Sequence, residues 1–417
     1  MKKYIYIIGV MAMAMGTLSS CQDIVDYETP DLYSANGAPE ISAIYDATTV
    51  EDKNPIEGGE LSQMIRLVGK NLSHVKSITF NGIPVDKSHI YAESNKCVVT
   101  IPRTTPEVAD NKLVYTTELG STTRDFEVSF PSISINDMEN EFAKPGSTVT
   151  IRGDFGLYNL GKDNLTVKVG DKECTVGDTT YITPTQTDIT ITIPQDAPDC
   201  KGLDFSYAKP DGTEGHTLVP YRMYQYSVMP VFKNDDGSRN DDLAGWWNDE
   251  TKAAVVEGTQ PGGPEDPGHP YFYIDDIYEA WCWQAFGWKT DWRNADATAH
   301  PENYVLKFEM WTDPNHPFPI SVNDNANADG FIWSFNDADS YEWNVSRGTK
   351  YNTNGKWITQ TLSLEDVAKN GLMQVLDPTQ QNFMNVNFVL QPCDEENDWE
   401  LQFAIANIRI QPKNLNK

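Results

Sequence analysis

Ile65-Arg66-Leu67-Val68-Gly69-Lys70-Asn71-Leu72 returns further along the chain as Val149-Thr150-Ile151-Arg152-Gly153-Asp154-Phe155. Gly69 and Gly153 are 84 positions apart. Downstream of the first copy come Ile78-Thr79-Phe80-Asn81-Gly82 and Val98-Val99-Thr100-Ile101-Pro102. Downstream of the second come Val167-Lys168-Val169-Gly170 and Ile189-Thr190-Ile191-Thr192-Ile193-Pro194. Gly82 and Gly170 are 88 positions apart, and Pro102 and Pro194 are 92 apart. Short alternating β-branched runs closed by Gly or Pro, in units of this length, predict a small β-sandwich built twice. The two units span 38–130 and 131–227. Neither contains a tryptophan.

From Tyr221 the composition changes. All eleven tryptophans fall between Trp246 and Trp399. Strand-like runs continue at Tyr271-Phe272-Tyr273-Ile274, Tyr304-Val305-Leu306-Lys307-Phe308-Glu309-Met310 and Trp357-Ile358-Thr359-Gln360-Thr361-Leu362. Others follow at Val386–Leu390 and Leu401–Ile410. Helical signals are sparse, with one short turn at 363–368 capped by Ser363. Residues 228–417 therefore read as a third all-β domain, a jelly-roll-like sandwich. The fold class is all-β: two Ig-like sandwiches followed by this larger one.

The N-terminus sets the compartment. Lys2 and Lys3 precede an apolar run from Tyr4 to Leu18, followed by Leu18-Ser19-Ser20-Cys21. A basic start, a short apolar core and small residues before the cut describe an export signal over 1–20. A helix of that length covers about 22 Å, short of a ~30 Å hydrocarbon core. The Leu-Ser-Ser-Cys ending resembles a bacterial lipobox, which implies that Cys21 carries lipid and anchors the chain. Residues 21–37 are polar and acidic, a tether resembling the surface-export signal of lipoproteins in polysaccharide-degrading Gram-negative bacteria. Without Lys2 and Lys3 the chain has 30 basic and 61 acidic residues, a net charge of −31. Such a surface repels nucleic acid and disfavours polyanionic ligands such as pectate. Cys97, Cys174, Cys200, Cys282 and Cys393 remain, an odd number, so this is not a disulfide-dense scaffold. Pairing of Cys174 with Cys200, or of Cys282 with Cys393, stays open.

The order of glycines, β-branched pairs and closing Ile-Pro in 38–227 resembles the TIG (IPT) immunoglobulin-like family, a resemblance of sandwich geometry that implies spacers. A second resemblance is more specific. Tyr341-Glu342-Trp343-Asn344, the stretch from Tyr351 to Leu364, and the ending Ala406-Asn407-Ile408-Arg409-Ile410 are similar to the C-terminal module of surface glycan-binding proteins. Those proteins are encoded in polysaccharide-utilisation loci. Their lipid anchor, Ig-like row and C-terminal binding domain follow in the order found here. The resemblance implies a non-catalytic protein on the outer membrane, held at the cell surface by lipid alone. It binds a neutral β-linked plant glycan (xyloglucan, another hemicellulose or a β-glucan) at a tryptophan platform, without a cofactor. The partner implied is an outer-membrane glycan importer.

Tryptophan suits that task because an indole covers the apolar face of a pyranose while amides and carboxylates bond its rim. Each platform covers ~50–100 Å², worth roughly 1–2.5 kcal/mol. Two or three of them give a Kd of about 10 μM to 1 mM once docking entropy is subtracted. The candidates are Trp247, Trp281 and Trp283, with Trp246, Trp288, Trp292 and Trp343 behind them. Trp246-Trp247 is followed by Asn248, Asp249 and Glu250; Trp281 and Trp283 are spaced i, i+2 beside Glu279 and Gln284; Lys289, Asp291, Arg293 and Asn294 interleave Trp288 and Trp292. Trp357 and Trp311 sit in strand runs as core or edge-packing residues, and Trp399 fits either role. A glycoside hydrolase or lyase with Ig-like spacers is the alternative, with Asp275, Asp276 and Glu279 as the acids nearest the cluster. An adhesin explains the Ig-like units but not the tryptophans. The six histidines show no metalloprotease spacing. Asn325-x-Asn327-x-Asp329-Gly330 imitates the start of a calcium loop but reaches Asn336, not Glu, at position twelve, so a turn is expected there and no metal.

Overall fold

A computed structural model describes residues 32–49, 53–229, 235–236, 238, 254–278, 286–290, 293–318, 330–335, 339–343, 350–367, 384–391 and 399–415. The chain divides into two compact units, one ending at Phe130 and the other beginning at Pro131.

The first unit is a sandwich of β1 (Glu40–Asp46), β2 (Gly58–Glu60), β3 (Met64–Lys70), β4 (Val75–Phe80), β5 (Ile83–Pro84), β6 (Ile90–Ala92), β7 (Lys96–Thr100), β8 (Lys112–Thr117), β9 (Gly120–Asp125) and β10 (Glu127–Ser129). One sheet runs β1-β3-β7-β6 and the other β5-β4-β8-β9, while β10 and β2 pair in parallel. Period-two alternation sends Ile65, Leu67, Cys97 and Val99 into the core. Asn81 and Gly82 both take positive φ and close the β4–β5 hairpin.

The second unit opens with β11 (Ile135–Met138), β12 (Thr148–Gly153), β13 (Thr166–Val169), β14 (Lys172–Glu173), β15 (Thr175–Thr183), β16 (Gln186–Thr192), β17 (Leu203–Ala208) and β18 (Glu214–Val219). The sheets run β11-β12-β16-β15 and β14-β13-β17-β18. The repeated glycine now has a physical reason. A Cβ on Gly69 would stand 1.8 Å from the Glu40 carbonyl oxygen, and one on Gly153 would stand 2.7 Å from that of Ser134. Each glycine lets a bulged partner strand, β1 or β11, approach closely.

The remainder contains β19 (Ala254–Val256), β20 (Tyr271–Tyr278), β21 (Phe286–Thr290), β22 (Tyr304–Thr312), β23 (Gly330–Phe335), β24 (Asp339–Trp343), β25 (Ile358–Ser363), β26 (Met384–Gln391) and β27 (Trp399–Pro412). They form a five-stranded sheet, β19-β20-β27-β22-β25, and a four-stranded sheet, β21-β26-β23-β24, of a jelly-roll-like sandwich. Two short helices, α1 (Ala295–Ala299) and α2 (Leu364–Val367), complete it, and α2 occupies the expected turn. Among the described residues no helix is long and apolar enough to cross a membrane.

Cys97, Cys174 and Cys200 are free thiols, so the open Cys174–Cys200 pairing is not made. Burial pushes the Cys97 and Cys174 thiols up to about 11. Cys282 and Cys393 lie outside the described residues, as do the Asn325–Asp329 turn and the export segment with Cys21.

Candidate functional site

The five-stranded sheet has two different faces. Phe272, Ile274, Phe308, Met310 and Phe403 are buried on one. Tyr271, Tyr273, Trp311, Ala404 and Ala406 form a second buried cluster on the other, with Val256 and Trp357 packed against it. Trp311 and Trp357 are therefore packing residues, as their strand positions predict. Gln402 Nε2 donates to Tyr273 Oη and to the Gly262 carbonyl, both at 2.7 Å, tying the loop before β20 onto this face. At the far end of β20, Asp275 and Ile277 are exposed. Asp275 and Asp276 are consecutive strand residues on opposite faces, so they do not converge on one glycosidic bond.

Of the tryptophan candidates, Trp246, Trp247, Trp281, Trp283 and Trp292 lie outside the described residues. Trp288 lies on β21 and Trp343 on β24, both in the four-stranded sheet. The register aligns Trp288 with Val386 and Phe335, and Trp343 with Phe331 and Leu390. A parallel row aligns Phe286, Phe388, Trp333 and Tyr341. Trp288 and Trp343 thus have apolar residues as their register partners, unlike their polar neighbours in sequence. Trp333, on β23, was not singled out in the sequence.

Strand ends show where the remaining candidates attach. Tyr278, ending β20, pairs with Trp399, which begins β27. Gln391, ending β26, pairs with Gly330, which begins β23, and Phe286 at the start of β21 pairs with Phe388. Segments 279–285 and 392–398 join the two sheets, so these strand ends gather at one end of the sandwich. Trp281 and Trp283 belong to the first of those segments. Trp246 and Trp247 precede β19, which runs antiparallel to β20. The described rim at this end is polar. Asp313 accepts the backbone N–H groups of Asn315 at 2.7 Å and His316 at 3.1 Å. Thr312 and Thr353 exchange two backbone-to-hydroxyl bonds of 2.8 Å, which fix the loop before β25.

A polar cluster that sequence reasoning did not mark lies on the outer face of the same sheet, where the second Ig-like sandwich docks. Arg409 and Glu309 have no exposed surface. Arg409 Nη1 donates to Glu309 at 3.0 Å and Nη2 to Glu141 at 2.7 Å, and Lys307 pairs with the second oxygen of Glu141. The Arg409 guanidinium also lies 4.7 Å from the centroid of the Phe142 ring. Burial pushes the Glu309 carboxyl up to about 7, against the pull of Arg409. Thr359 Oγ1 donates to Glu309 at 3.0 Å and accepts the Glu141 backbone N–H at 2.8 Å. The connecting residues Tyr221, Arg222 and Met223 are buried. Arg222 holds Asp199 at 2.5 Å and Tyr224 Oη at 2.7 Å.

Comparison with known proteins gives three findings. Residues 224–412 match the family model described as the surface glycan-binding protein B xyloglucan binding domain. No curated protein matches. Among solved structures, the surface glycan-binding protein PbSGBP-B of Prevotella bryantii is similar, with a TM-score of 0.58 and 20% identity over 91% of this chain and 100% of that one. SGBP-B from a complex xyloglucan utilization locus in Bacteroides uniformis has a TM-score of 0.44 and 14% identity over 90% and 99% of the two chains. The first of these likenesses shows the fold.

Proposed function

Because residues 224–412 belong to the surface glycan-binding protein B xyloglucan-binding domain family, we propose that the chain captures a neutral β-linked plant glycan at the cell surface for uptake. The family is a binding family and not an enzyme family. Xyloglucan, another hemicellulose or a β-glucan is the ligand class, and stacking on tryptophan is the mechanism. The supporting observation is topological: Trp281 and Trp283 lie in the chain between β20 of the five-stranded sheet and β21 of the four-stranded sheet, and the described strand ends there carry polar residues. Trp247, Trp281 and Trp283 are the platforms in this reading. Trp246 and Trp292 stand behind them, and Trp288 and Trp343 fall last because their register neighbours are apolar. Lipid on Cys21 holds the protein to the outer membrane, where a glycan importer is its partner.

Affinity gel electrophoresis of the mature chain over neutral glucans and pectate tests the reading. A neutral glucan retards it with a Kd of about 10 μM to 1 mM, and no reducing ends accumulate. Retardation by pectate alone, or release of reducing ends, overturns it. Trp247→Ala, Trp281→Ala and Trp283→Ala each weaken binding about tenfold to seventyfold with little change in thermal midpoint. If these variants melt early and the surviving folded protein binds normally, they are core residues. Cys21→Ala moves the protein from the membrane pellet to the soluble fraction on cell fractionation. Persistent pelleting means a different attachment.

A further inference from the structure

We propose that Glu141, Arg409, Glu309 and Lys307 form a proton-operated latch that tightens the joint between the second Ig-like sandwich and the C-terminal domain as pH falls. The geometry comes first. Glu309 and Arg409 project from β22 and β27 onto the sheet face against which the second sandwich docks, and both are fully buried there. Glu141 and Phe142 supply the cover. Two backbone bonds cross the joint: Glu141 N–H to Thr359 Oγ1, and Thr359 N–H to the Glu139 carbonyl, each 2.8 Å. Outside the cluster, Lys356 pairs with Glu139 at 2.8 Å and Lys144 with Asp266 at 2.7 Å.

Two carboxylates share one guanidinium in this buried cluster, and Lys307 reaches only Glu141. Docking strips water from Glu309 without giving it a cation of its own, so the docked state favours its neutral form. Undocked, the same carboxyl meets water and returns toward its ordinary value of 4.5. Docking therefore takes up a proton. The contribution is full below about 4.5 and is lost as pH rises through about 7. The other charged and titratable groups facing the joint are Glu139 and Lys144 from the second sandwich, Asp199, Arg222 and Tyr224 around the connection, Asp266 and His269 from the loop before β20, and Lys356 before β25. Burial holds His269 down to about 4, so it stays neutral through the window in which Glu309 titrates.

Hydrogen exchange read by mass spectrometry on the full chain, between pH 8 and 5 and corrected for intrinsic rates, tests the latch. Peptides containing the Glu141 and Thr359 amides gain protection by up to about tenfold per pH unit below 7. Amides of β12, inside the second sandwich, are the internal reference and do not follow. Glu309→Gln, which mimics the neutral carboxyl, keeps the joint amides protected and flattens their pH dependence. Wild-type protection at the joint that is flat, that falls with acid, or that moves in step with β12 overturns the proposal, as does a Glu309→Gln curve as steep as wild type.

Discussion

Arg409→Ala lowers the stability of residues 131–417 by about 3–5 kcal/mol, and the thermal midpoint falls by on the order of 10 °C. The size of the effect follows from what is left behind. Arg409 has no exposed surface and bonds both Glu309 and Glu141. Removing the guanidinium leaves Glu141 with Lys307 alone and strands the fully buried Glu309, which must take up a proton or the joint must open. Phe142 also loses the cation above its ring. A paired change separates charge from packing. Arg409→Met together with Glu309→Gln loses much less, because the positive charge leaves with one of its partners and the volume is kept. Calorimetry on the three proteins decides it. An unchanged midpoint for Arg409→Ala would show that water reaches the joint.

Trp311→Ala has an effect of similar size on stability and none on recognition. The ring is buried among Tyr271, Tyr273, Ala404 and Ala406. Truncation removes that contact and leaves a cavity, a loss of about 3–5 kcal/mol. The folded fraction of the variant retains wild-type affinity on a glycan gel at a temperature below its lowered midpoint. A weakened affinity with an unchanged melt would place Trp311 in the binding surface instead.

Most of the architecture was legible because β-strands write their environment with period two. Ile65, Leu67, Val149, Ile151, Ile189 and Ile191 alternate as a half-buried strand requires, and all are buried. Gly69 and Gly153 marked the repeat because a close backbone approach admits no Cβ. The same alternation hid the joint. Glu309 lies between Phe308 and Met310, and Arg409 between Ile408 and Ile410, so each reads as a solvent-facing residue on a strand whose other face is core. What covers them on that outer face includes Glu141 and Phe142, far away in sequence. Tryptophan was legible as a class and not residue by residue. A large ring with one polar atom satisfies both a core and a sugar platform, so sequence alone does not separate Trp311 from Trp281.

The buried connection at Tyr221, Arg222 and Met223 also bears on how such chains can be recombined. Glu141 is 268 positions from Arg409, yet each loses a buried charged partner if the other changes. The second Ig-like sandwich and the C-terminal domain are therefore expected to vary as a pair, with substitutions at positions 141 and 409 appearing together. A graft that joins a foreign Ig-like module at residue 227 would place an unmatched surface against Arg409 and Glu309. It would have to carry a carboxylate and an aromatic ring in the places of Glu141 and Phe142 to be tolerated.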